Sequence, residues 1–246
     1  MSAPSAKLAA AIHDLMLANR ILAKEGVVDG FGHVSMRHPE NPDRYLLARS
    51  RSPELVTEGD ILEFDLDSVP IDLKGRTPYA ERPIHGCIYK SRPDVMAVCH
   101  NHAHSLIPYG VTGTVMKPIF HFSAGIGVEV PIWDIRDDFG DKTNLLVLNN
   151  DQGRSLAKAL GPHPAVLMRG HGSAVATQDL KGTVLVSIAL MENAAMLSEA
   201  RGMGPVRYLS AGEVEAMQPI LFGRTTMSRA WEFWCRRAGF ETDVNE

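Results

Sequence analysis

Apolar residues recur at helical spacing in four parts of the chain. The first predicted helix covers residues 4–25, where leucine, isoleucine and alanine return every three or four positions and Gly26 follows as a stop signal. The same spacing predicts a long helix over residues 177–201 and a short one over residues 82–91. A helical tail is predicted over residues 211–246, whose aromatic cluster packs on the core or on a neighbouring subunit.

Short apolar runs between these helices have the length of buried strands. They cover residues 44–48, 61–66, 95–99 and 165–168. Strands that alternate with helices predict an α/β fold, and 246 residues suffice for one large domain with a substantial core. We therefore expect a single domain over residues 1–246, tail included.

Histidines follow two of these apolar runs. His100 and His102 stand two residues apart after the run at 95–99, and alternate residues of a strand point to the same side of it. His171 follows the run at 165–168 in a similar way. The sequence therefore predicts that three imidazoles meet at a divalent-metal site.

Glu81 and the cysteines indicate whether the predicted metal is structural or catalytic. Glu81 lies about one helix and a turn before the histidine strand and could place a carboxylate beside the metal. A structural zinc site would have four protein ligands and would usually include cysteine. The three cysteines form no CxxC pair, and Cys99 is predicted to point to the opposite face from His100. We interpret the metal as catalytic, with a position open for substrate.

Composition limits the classes of partner. The chain has 45% hydrophobic and 22% charged residues and a net charge of −4, without a lysine or arginine cluster. Nucleic acid is not expected as a partner, because phosphate binding needs a concentrated basic patch. The amino-terminal segment lacks the unbroken apolar core of a signal peptide, and no membrane span is predicted. Three widely spaced cysteines suit a reducing cytoplasm, so we expect a cytoplasmic protein that acts on small molecules.

Four segments together resemble the class II aldolase/adducin family over residues 8–209. They are DGFGHVSMR (29–37), LLARSRSPELVTEGDILEFDLD (46–67), YAERPIHGCIYKSRPDVMAVCHNH (79–102) and VLMRGHGSAVA (166–176). The resemblance implies a three-layer α/β/α domain with a central mixed, mainly antiparallel sheet. It also implies a homotetramer with active sites at the subunit interfaces.

The resemblance assigns roles residue by residue. His100, His102 and His171 match the metal ligands of the family, and Glu81 matches its catalytic acid/base. One divalent metal per subunit follows from this. Three imidazoles suit zinc best, with manganese, iron or cobalt as alternatives.

Three positions depart from the sugar-phosphate enzymes of the family, which cradle a phosphate there. The family's Gly-Asn pair, Ser/Thr-Gly pair and two serines are replaced here by Gly32-His33, Ser50-Arg51 and Tyr79-Ala80. A guanidinium matches the two oxygens of a carboxylate as a fork. We therefore predict a pocket for a carboxylate, with the substrate-binding residues His33, Ser50, Arg51 and Tyr79.

The segments GHVSMR, LLARSRSPELVT and ERPIHG are similar to a branch of the family that decarboxylates hydroxylated aromatic acids. Its substrates include 3,4-dihydroxyphthalate and 3-hydroxy-2-methylpyridine-4,5-dicarboxylate. The resemblance implies a non-oxidative decarboxylase, a lyase of aromatic breakdown, whose metal holds the charge left on the ring. Glu81 would protonate the ring carbon, and we expect a partly apolar site beside Tyr79 to raise the pKa of Glu81.

Further side chains are candidates for the pocket. His121 and Tyr208 are predicted to contact substrate, with Tyr208 reaching across a subunit interface, and His104 is a weaker candidate of the same kind. His85, one helical turn after Glu81, is predicted either to hold that carboxylate or to pack in the core. The remaining histidines singled out here are interpreted as ordinary surface or loop residues: His13, His38 and His163.

Two other functions stay open from the sequence. An aldolase or epimerase acting on a sugar phosphate or another hydroxy-carbonyl compound would bind phosphate through main-chain amides at Ser50-Arg51 and Tyr79-Ala80. An inactive, adducin-like binding module is the third alternative. The presence of Glu81 and the three histidines argues against it.

Overall fold

The computed structural model describes residues 4–241, which form eight α-helices and seven strands. The helices are α1 (Ala6–Lys24), α2 (Pro83–Ser91), α3 (Ile107–Thr112), α4 (Arg136–Phe139), α5 (Asn150–Leu160), α6 (Leu180–Met203), α7 (Ala211–Leu221) and α8 (Arg224–Arg237). Short 3₁₀ turns lie at Pro53–Leu55, Glu58–Asp60, His104–Leu106 and His121–Ile126. The strands are β1 (His33–Arg37), β2 (Arg44–Ala48), β3 (Ile61–Asp65), β4 (Ala97–Asn101), β5 (Ile132–Trp133), β6 (Ala165–Met168) and β7 (Gly172–Thr177).

Side-chain caps set the beginning of both long helices. The hydroxyl of Ser5 accepts a hydrogen bond from the Leu8 N–H at the start of α1. The carboxylate of Asp179 accepts one from the Gly182 N–H at the start of α6. Such caps satisfy N–H groups that have no partner inside the helix. The predicted boundaries at residues 4 and 177 are therefore close to the observed ones.

The strands form one sheet in the order β3-β2-β1-β4-β7-β6-β5. Only β5 and β6 pair in parallel among the described strands, so the sheet is mixed and mainly antiparallel. The strand β4, which carries the first histidine of the predicted site, lies between β1 and β7. This central position brings residues far apart in sequence to one place.

Alternate residues of the central strands face two different helical layers. Val34 and Cys99 pack in the cluster that contains α1 and α6, whereas Val98 and Ala174 pack with α2 and α5. This alternation is what the period of two in a strand requires. The predicted α/β fold, with three layers and a mixed, mainly antiparallel sheet, is confirmed, and so is the predicted direction of Cys99.

The helix α6 is a core element despite its composition. By length and hydropathy it is the one described helix that could cross a membrane, but 72% of the relevant window is buried inside the protein. The sequence analysis did not identify this segment as long and apolar enough for a membrane span. The side chains of α6 are buried by α1, by the sheet and by α8.

The predicted carboxyl-terminal tail consists of two helices, α7 and α8, and residues 242–246 lie outside the described part of the chain. Trp231 of α8 is buried and Trp234 is partly buried against the core, whereas Phe233 is 56% exposed. Packing on the core thus accounts for two of the three predicted aromatic residues. The apolar pattern did not predict the strands β1, β5 and β7 or the helices α3, α4 and α5.

Candidate metal centre

The three predicted ligands stand where strands of the sheet end. His100 is the next-to-last residue of β4, and His102 follows that strand. His171 lies in the turn between β6 and β7. Because β4 pairs with β7, with Asn101 opposite Ser173, the two segments are held side by side. The sheet register therefore brings histidines 69 to 71 positions apart in sequence to one location.

Two glycines allow the backbone to come this close. A Cβ at Gly172 would collide with the carbonyl oxygen of Asn101. Gly32, with a positive φ of 86°, precedes β1, and a Cβ there would lie 3.0 Å from the carbonyl oxygen of His100. Only glycine combines this conformation with so close an approach. Gly32 thus allows the close packing of the segment before β1 against β4.

The ligand atoms of four side chains face one another. His102 Nε2 lies 2.9 Å from His100 Nε2 and 3.1 Å from His171 Nε2. Glu81 Oε2 lies 3.6 Å from His100 Nε2 and 3.5 Å from His171 Nε2. Ligand atoms about 2.1 Å from a common cation, with bond angles of about 90° to 110°, lie roughly 3.0 to 3.4 Å apart. The four residues could therefore hold one divalent ion.

The protonation of these imidazoles supports a cation among them. The Nδ1–H of His100 donates to the carbonyl oxygen of Ser173 at 3.0 Å, so its Nε2 carries a bare lone pair. That lone pair and the carboxylate of Glu81 point toward the same space as His102 and His171. The ligand atoms of all four side chains thus face the same space. A divalent cation satisfies all of them at once.

The main chain holds Glu81 in place from a distant segment. Glu81 lies just before α2, and its Oε1 accepts a hydrogen bond of 2.9 Å from the N–H of Val147. The next residue, Arg82, fixes the turn by donating to the carbonyl oxygens of Ser68 and Tyr79. One carboxylate oxygen is thus anchored, and the other faces the histidines. The sequence analysis gave no sign of Val147.

Electrostatics at the centre favour a neutral His102 and an ionised Glu81. Burial lowers the pKa of His102 to about 4, assisted by His100 and His171. Burial by itself raises the pKa of Glu81, but attraction to His100 and His171 outweighs burial and lowers the pKa below its usual range. The expectation that the pKa of Glu81 is raised was wrong. A bound divalent cation would act in the same direction as the histidines.

His33 lies beside the four-residue cluster, but its hydrogen bond is to His85. It is the register partner of His100, and the two ring centroids are 5.2 Å apart. Its Nδ1 forms a hydrogen bond of 2.6 Å with His85 Nε2, and its ring lies 4.5 Å from that of Tyr79. His85 therefore supports His33. The alternative that it holds Glu81 was wrong, because Val147 does so.

Tyr79 contacts both Arg51, a residue of the predicted carboxylate pocket, and His33. The hydroxyl of Tyr79 donates to the carbonyl oxygen of Arg51, and its ring contacts His33. One N–H group of Arg51 donates to Asp60 Oδ2 at 2.8 Å, and its other N–H groups have no partner within residues 4–241. Ser50 donates its backbone N–H to Thr77. Asp60, which the sequence analysis missed, orients Arg51.

His121 and Tyr208 lie away from the four-residue cluster. His121 is exposed, with its ring 4.5 Å from that of Phe122, and the Tyr208 hydroxyl accepts from Arg201 at 3.3 Å. Neither contacts the four-residue cluster in the described part of the chain. His104 is exposed and lines a small cleft of about 90 Å³ with His102 and residues 26–29.

The other histidines and the cysteines lie outside the site. His13 is exposed and contacts Glu58, whereas His38 lies in the loop after β1 and is buried near Glu63. All three cysteines are free and buried. An apolar cavity of about 440 Å³ between α6 and α8 shares no residue with the cluster.

A mixed sheet lies between helical layers, and three imidazoles at its strand ends, with a carboxylate just before α2, form a site that could hold a metal ion. The chain belongs to the class II aldolase and adducin family: the domain described as Class II Aldolase and Adducin N-terminal domain matches residues 13–198. The protein is accordingly an enzyme of the lyase class, as the sequence predicted.

Similar proteins bear decarboxylase and aldolase names. The chain is 30% identical over 239 residues to "Decarboxylase tropJ" of Talaromyces stipitatus, covering 88% of this chain and 89% of the relative. It is 29% identical over 236 residues to a 3,4-dihydroxyphthalate decarboxylase of Arthrobacter keyseri, with the same coverage of 88% and 89%. An L-fuculose 1-phosphate aldolase structure from Glaciozyma antarctica has a TM-score of 0.78 at 20% identity, covering 97% of this chain and 92% of that one. The last likeness concerns the fold.

Proposed function

We propose that this protein is a divalent-metal-dependent, non-oxidative decarboxylase of a hydroxylated aromatic dicarboxylate. The 3,4-dihydroxyphthalate and hydroxypyridine-dicarboxylate types of substrate fit this proposal, which places the enzyme in aromatic breakdown. The single observation that carries it is the convergence of His100, His102 and His171 with Glu81 within 4.8 Å. The decarboxylase names of relatives that match most of the chain support the reaction class.

The three histidines hold one divalent metal per subunit in this proposal. Zinc is the first candidate, because neutral imidazoles are its usual ligands, and manganese, iron and cobalt are alternatives. When bound, the metal supplies a Lewis acid that withdraws electron density from an aromatic acid as carbon dioxide leaves. The lowered pKa of His102 keeps that imidazole neutral and able to bind a cation near neutral pH.

Glu81 moves the proton. Its lowered pKa means that it is a carboxylate before substrate binds. The ring hydroxyl of the substrate can supply a proton to Oε2, the oxygen that faces the histidines. Glu81 then returns this proton to the ring carbon while the carbon–carboxylate bond breaks, and the resulting oxyanion is reprotonated by water. The hydrogen bond from Val147 keeps the carboxylate oriented throughout.

In this proposal the substrate carboxylates bind to His33, Tyr79 and Arg51. His33 and Tyr79 lie against each other at 4.5 Å beside His100. Arg51, oriented by Asp60, has N–H groups left for a carboxylate, and Ser50 precedes it. In this proposal Arg51 and His33 turn the leaving carboxylate out of the ring plane, where its breaking bond overlaps the π system.

The assembly and location follow from the same proposal. We infer a homotetramer with active sites at the subunit interfaces, in which His121 and Tyr208 reach the substrate of a neighbouring subunit. Both side chains lie away from the metal cluster of their own subunit, which is consistent with this arrangement. We further infer a cytoplasmic enzyme with no nucleic acid or membrane partner.

The deciding experiment is incubation of the zinc- or manganese-loaded protein with a panel of hydroxylated phthalates and pyridine dicarboxylates, with measurement of released carbon dioxide. Protein stripped of metal by a chelator is the control. We expect carbon dioxide only from the metal-loaded protein and only from acids with a hydroxyl next to a carboxylate. Cleavage or epimerisation of a sugar phosphate with no carbon dioxide from the panel would support the aldolase or epimerase alternative.

A further inference from the structure

Four buried side chains form a hydrogen-bonded chain behind the metal centre. Tyr89 OH lies 2.7 Å from Ser35 Oγ, Ser35 Oγ lies 2.6 Å from His85 Nδ1, and His85 Nε2 lies 2.6 Å from His33 Nδ1. Their exposed fractions are 1%, 0%, 0% and 4%, in the same order. We call these residues the Tyr89–His33 chain.

The element geometry explains why the four meet. His33 and Ser35 stand two residues apart in β1 and face the same side of the sheet. His85 and Tyr89 stand four apart in α2, so they share the helix face that covers that side. Each hydrogen bond of the chain thus joins the sheet to α2, or continues within that interface.

The protons in this chain have only two self-consistent directions. In the first, Tyr89 donates to Ser35, Ser35 donates to His85 Nδ1, and His85 donates from Nε2 to His33 Nδ1. In the second, every bond is reversed. Both imidazoles are treated as neutral, because both rings are buried and a buried charge without a paired anion is unfavourable. A neutral imidazole has one donor and one acceptor nitrogen.

Counting donors selects the first direction. The phenolic hydroxyl of Tyr89 has Ser35 as its one side-chain hydrogen-bond partner among residues 4–241, and the backbone contact with Val98 does not offer an acceptor. If Ser35 donated to Tyr89, the phenolic proton would be buried without an acceptor, which is unfavourable. In the first direction the one proton without an acceptor in the described part of the protein is on His33 Nε2, which is not among the fully buried unpaired atoms. His33 Nδ1 is then an acceptor, and its proton is on Nε2.

His33 Nε2 is the free end of the chain. It has no hydrogen-bond partner among the described residues, and it is not among the fully buried unpaired atoms. The ring lies beside His100 and Tyr79, at the wall of the metal centre. A nitrogen that carries a proton cannot bind a cation, but it can donate to an anionic oxygen held next to one.

We propose that Tyr89, Ser35 and His85 are positioning residues that fix His33 as the Nε2–H tautomer, a neutral hydrogen-bond donor for an anionic substrate oxygen at the metal centre. This rests on the proposed function for the identity of the oxygen, a carboxylate or phenolate of the aromatic acid. The tautomer itself depends only on the chain. It also makes His33 a substrate contact and excludes it as a fifth metal ligand.

Nitrogen NMR of the zinc-loaded protein labelled with ¹⁵N-histidine tests the tautomer directly. We expect the spectrum to show His33 protonated at Nε2 and bare at Nδ1, with His85 in the same form. Comparison with the variants His33→Gln and His85→Gln assigns the signals. A wild-type His33 that carries its proton on Nδ1 overturns the proposal, whatever the variants do.

Variants of Ser35 test the cause. Ser35→Ala breaks the chain, so we expect a mixture of both His33 tautomers, whereas Ser35→Thr keeps the hydroxyl and should keep the single tautomer. Ser187→Ala, which removes a buried hydroxyl that donates to the Thr183 carbonyl in α6, is the matched control and should leave His33 unchanged. An unchanged single tautomer in Ser35→Ala would count against the chain. If Ser35→Ala does not fold, the wild-type spectrum alone decides.

Salicylate, which has a hydroxyl next to a carboxylate, tests the consequence for binding. We expect calorimetry to show about threefold to tenfold weaker binding of salicylate to zinc-loaded Ser35→Ala than to wild type, with equal zinc content. Equal affinity would contradict the donor role of His33. Absence of decarboxylation of aromatic acids would refute the proposed function but leave the NMR assignment intact, so the two failures are distinguishable.

Discussion

His33 in β1 and His100 in β4 are direct partners in the antiparallel register of the sheet, and their ring centroids are 5.2 Å apart. The two imidazoles nevertheless have different surroundings. His100 Nδ1 donates to the Ser173 carbonyl, which leaves a lone pair on Nε2 for a metal. His33 Nδ1 contacts His85. The different hydrogen bonds of the two rings thus distinguish His100, a candidate metal ligand, from His33, its neighbour in the candidate site.

The variant His102→Ala should abolish stoichiometric metal binding. His102 Nε2 is the nitrogen that lies within 3.1 Å of both other ligand nitrogens, so its loss removes a direct ligand of the ion. We expect zinc affinity to fall more than about 100-fold, beyond the loss from removing a supporting contact. Elemental analysis after dialysis measures this. His104→Ala, an exposed histidine two positions on, should retain zinc; equal loss in both variants would contradict the assignment.

The variant Glu81→Gln should retain zinc but lose turnover. Three imidazoles remain to hold the ion, whereas an amide cannot carry the proton to the ring carbon. We expect carbon dioxide release to fall about 10² to 10⁴-fold, with zinc content unchanged by elemental analysis. Glu63→Gln, at a glutamate paired with Arg44 away from the cluster, is the matched control. Turnover near the wild-type level in Glu81→Gln would exclude its role as the acid/base.

Part of this centre could be predicted from the sequence because it depends on short-range periodicity. The spacing of His100 and His102 sets their common side, and the apolar run before His171 marks a strand end. The core alternation also follows from this periodicity, as the opposite directions of Val98 and Cys99 show. These predictions require no knowledge of which strands pair.

What could not be predicted depends on long-range pairing. The contact of Val147 with Glu81 spans 66 positions, and that of His85 with His33 spans 52. Neither has a local pattern, because each follows from strand order and from the helix that covers the sheet. The helix α5 was missed because its apolar positions are few: only Leu156, Ala157 and Leu160 are buried hydrophobic residues there.

The variant Gly172→Ala should damage both the fold and the metal site. A Cβ at this position collides with the Asn101 carbonyl oxygen, so β7 must move away from the strand that carries His100. We expect a loss of at least about 2 kcal/mol of unfolding free energy, together with reduced zinc content. Gly202→Ala is the control, because nothing lies within 4 Å of its Cβ and alanine is the better residue in a helix. Denaturant titration compares the two, and equal stabilities would show that the close approach is unimportant.

The variant Arg51→Ala should weaken binding of dicarboxylates selectively. Arg51 and Arg49 both pair with Asp60, at 2.8 Å and 2.5 Å, so Arg49→Ala controls for the loss of that ion pair. If Arg51 also binds a substrate carboxylate, its removal costs a further charge-assisted hydrogen bond of about 1.5 to 3 kcal/mol. We expect KM for a dicarboxylate to rise about tenfold to 100-fold more in Arg51→Ala than in Arg49→Ala. Similar KM values for the two variants would favour the aldolase or epimerase alternative.

The variant Asp60→Asn should remove an acid-sensitive part of the stability. Burial by itself raises the pKa of Asp60, but hydrogen bonds from Arg49, Thr57 and Arg51 outweigh burial and lower the pKa below the ordinary value of 3.8. A carboxyl whose pKa is lowered by folding stabilises the protein fully above pH 3.8, and this stabilisation is lost as the pH falls toward the folded-state pKa.

The difference in unfolding free energy between wild type and Asp60→Asn should therefore be largest near pH 6 and shrink below pH 3.8. We expect about 2 to 3 kcal/mol at pH 6, because the side chain accepts several hydrogen bonds from charged and neutral donors. Urea titrations at pH 6, 4 and 3 measure this difference. Glu58→Gln, at an exposed acid two residues earlier in the chain, is the matched control. A difference that stayed constant with pH would mean that the ion pairs of Asp60 contribute nothing, and that Arg51 is oriented by some other contact.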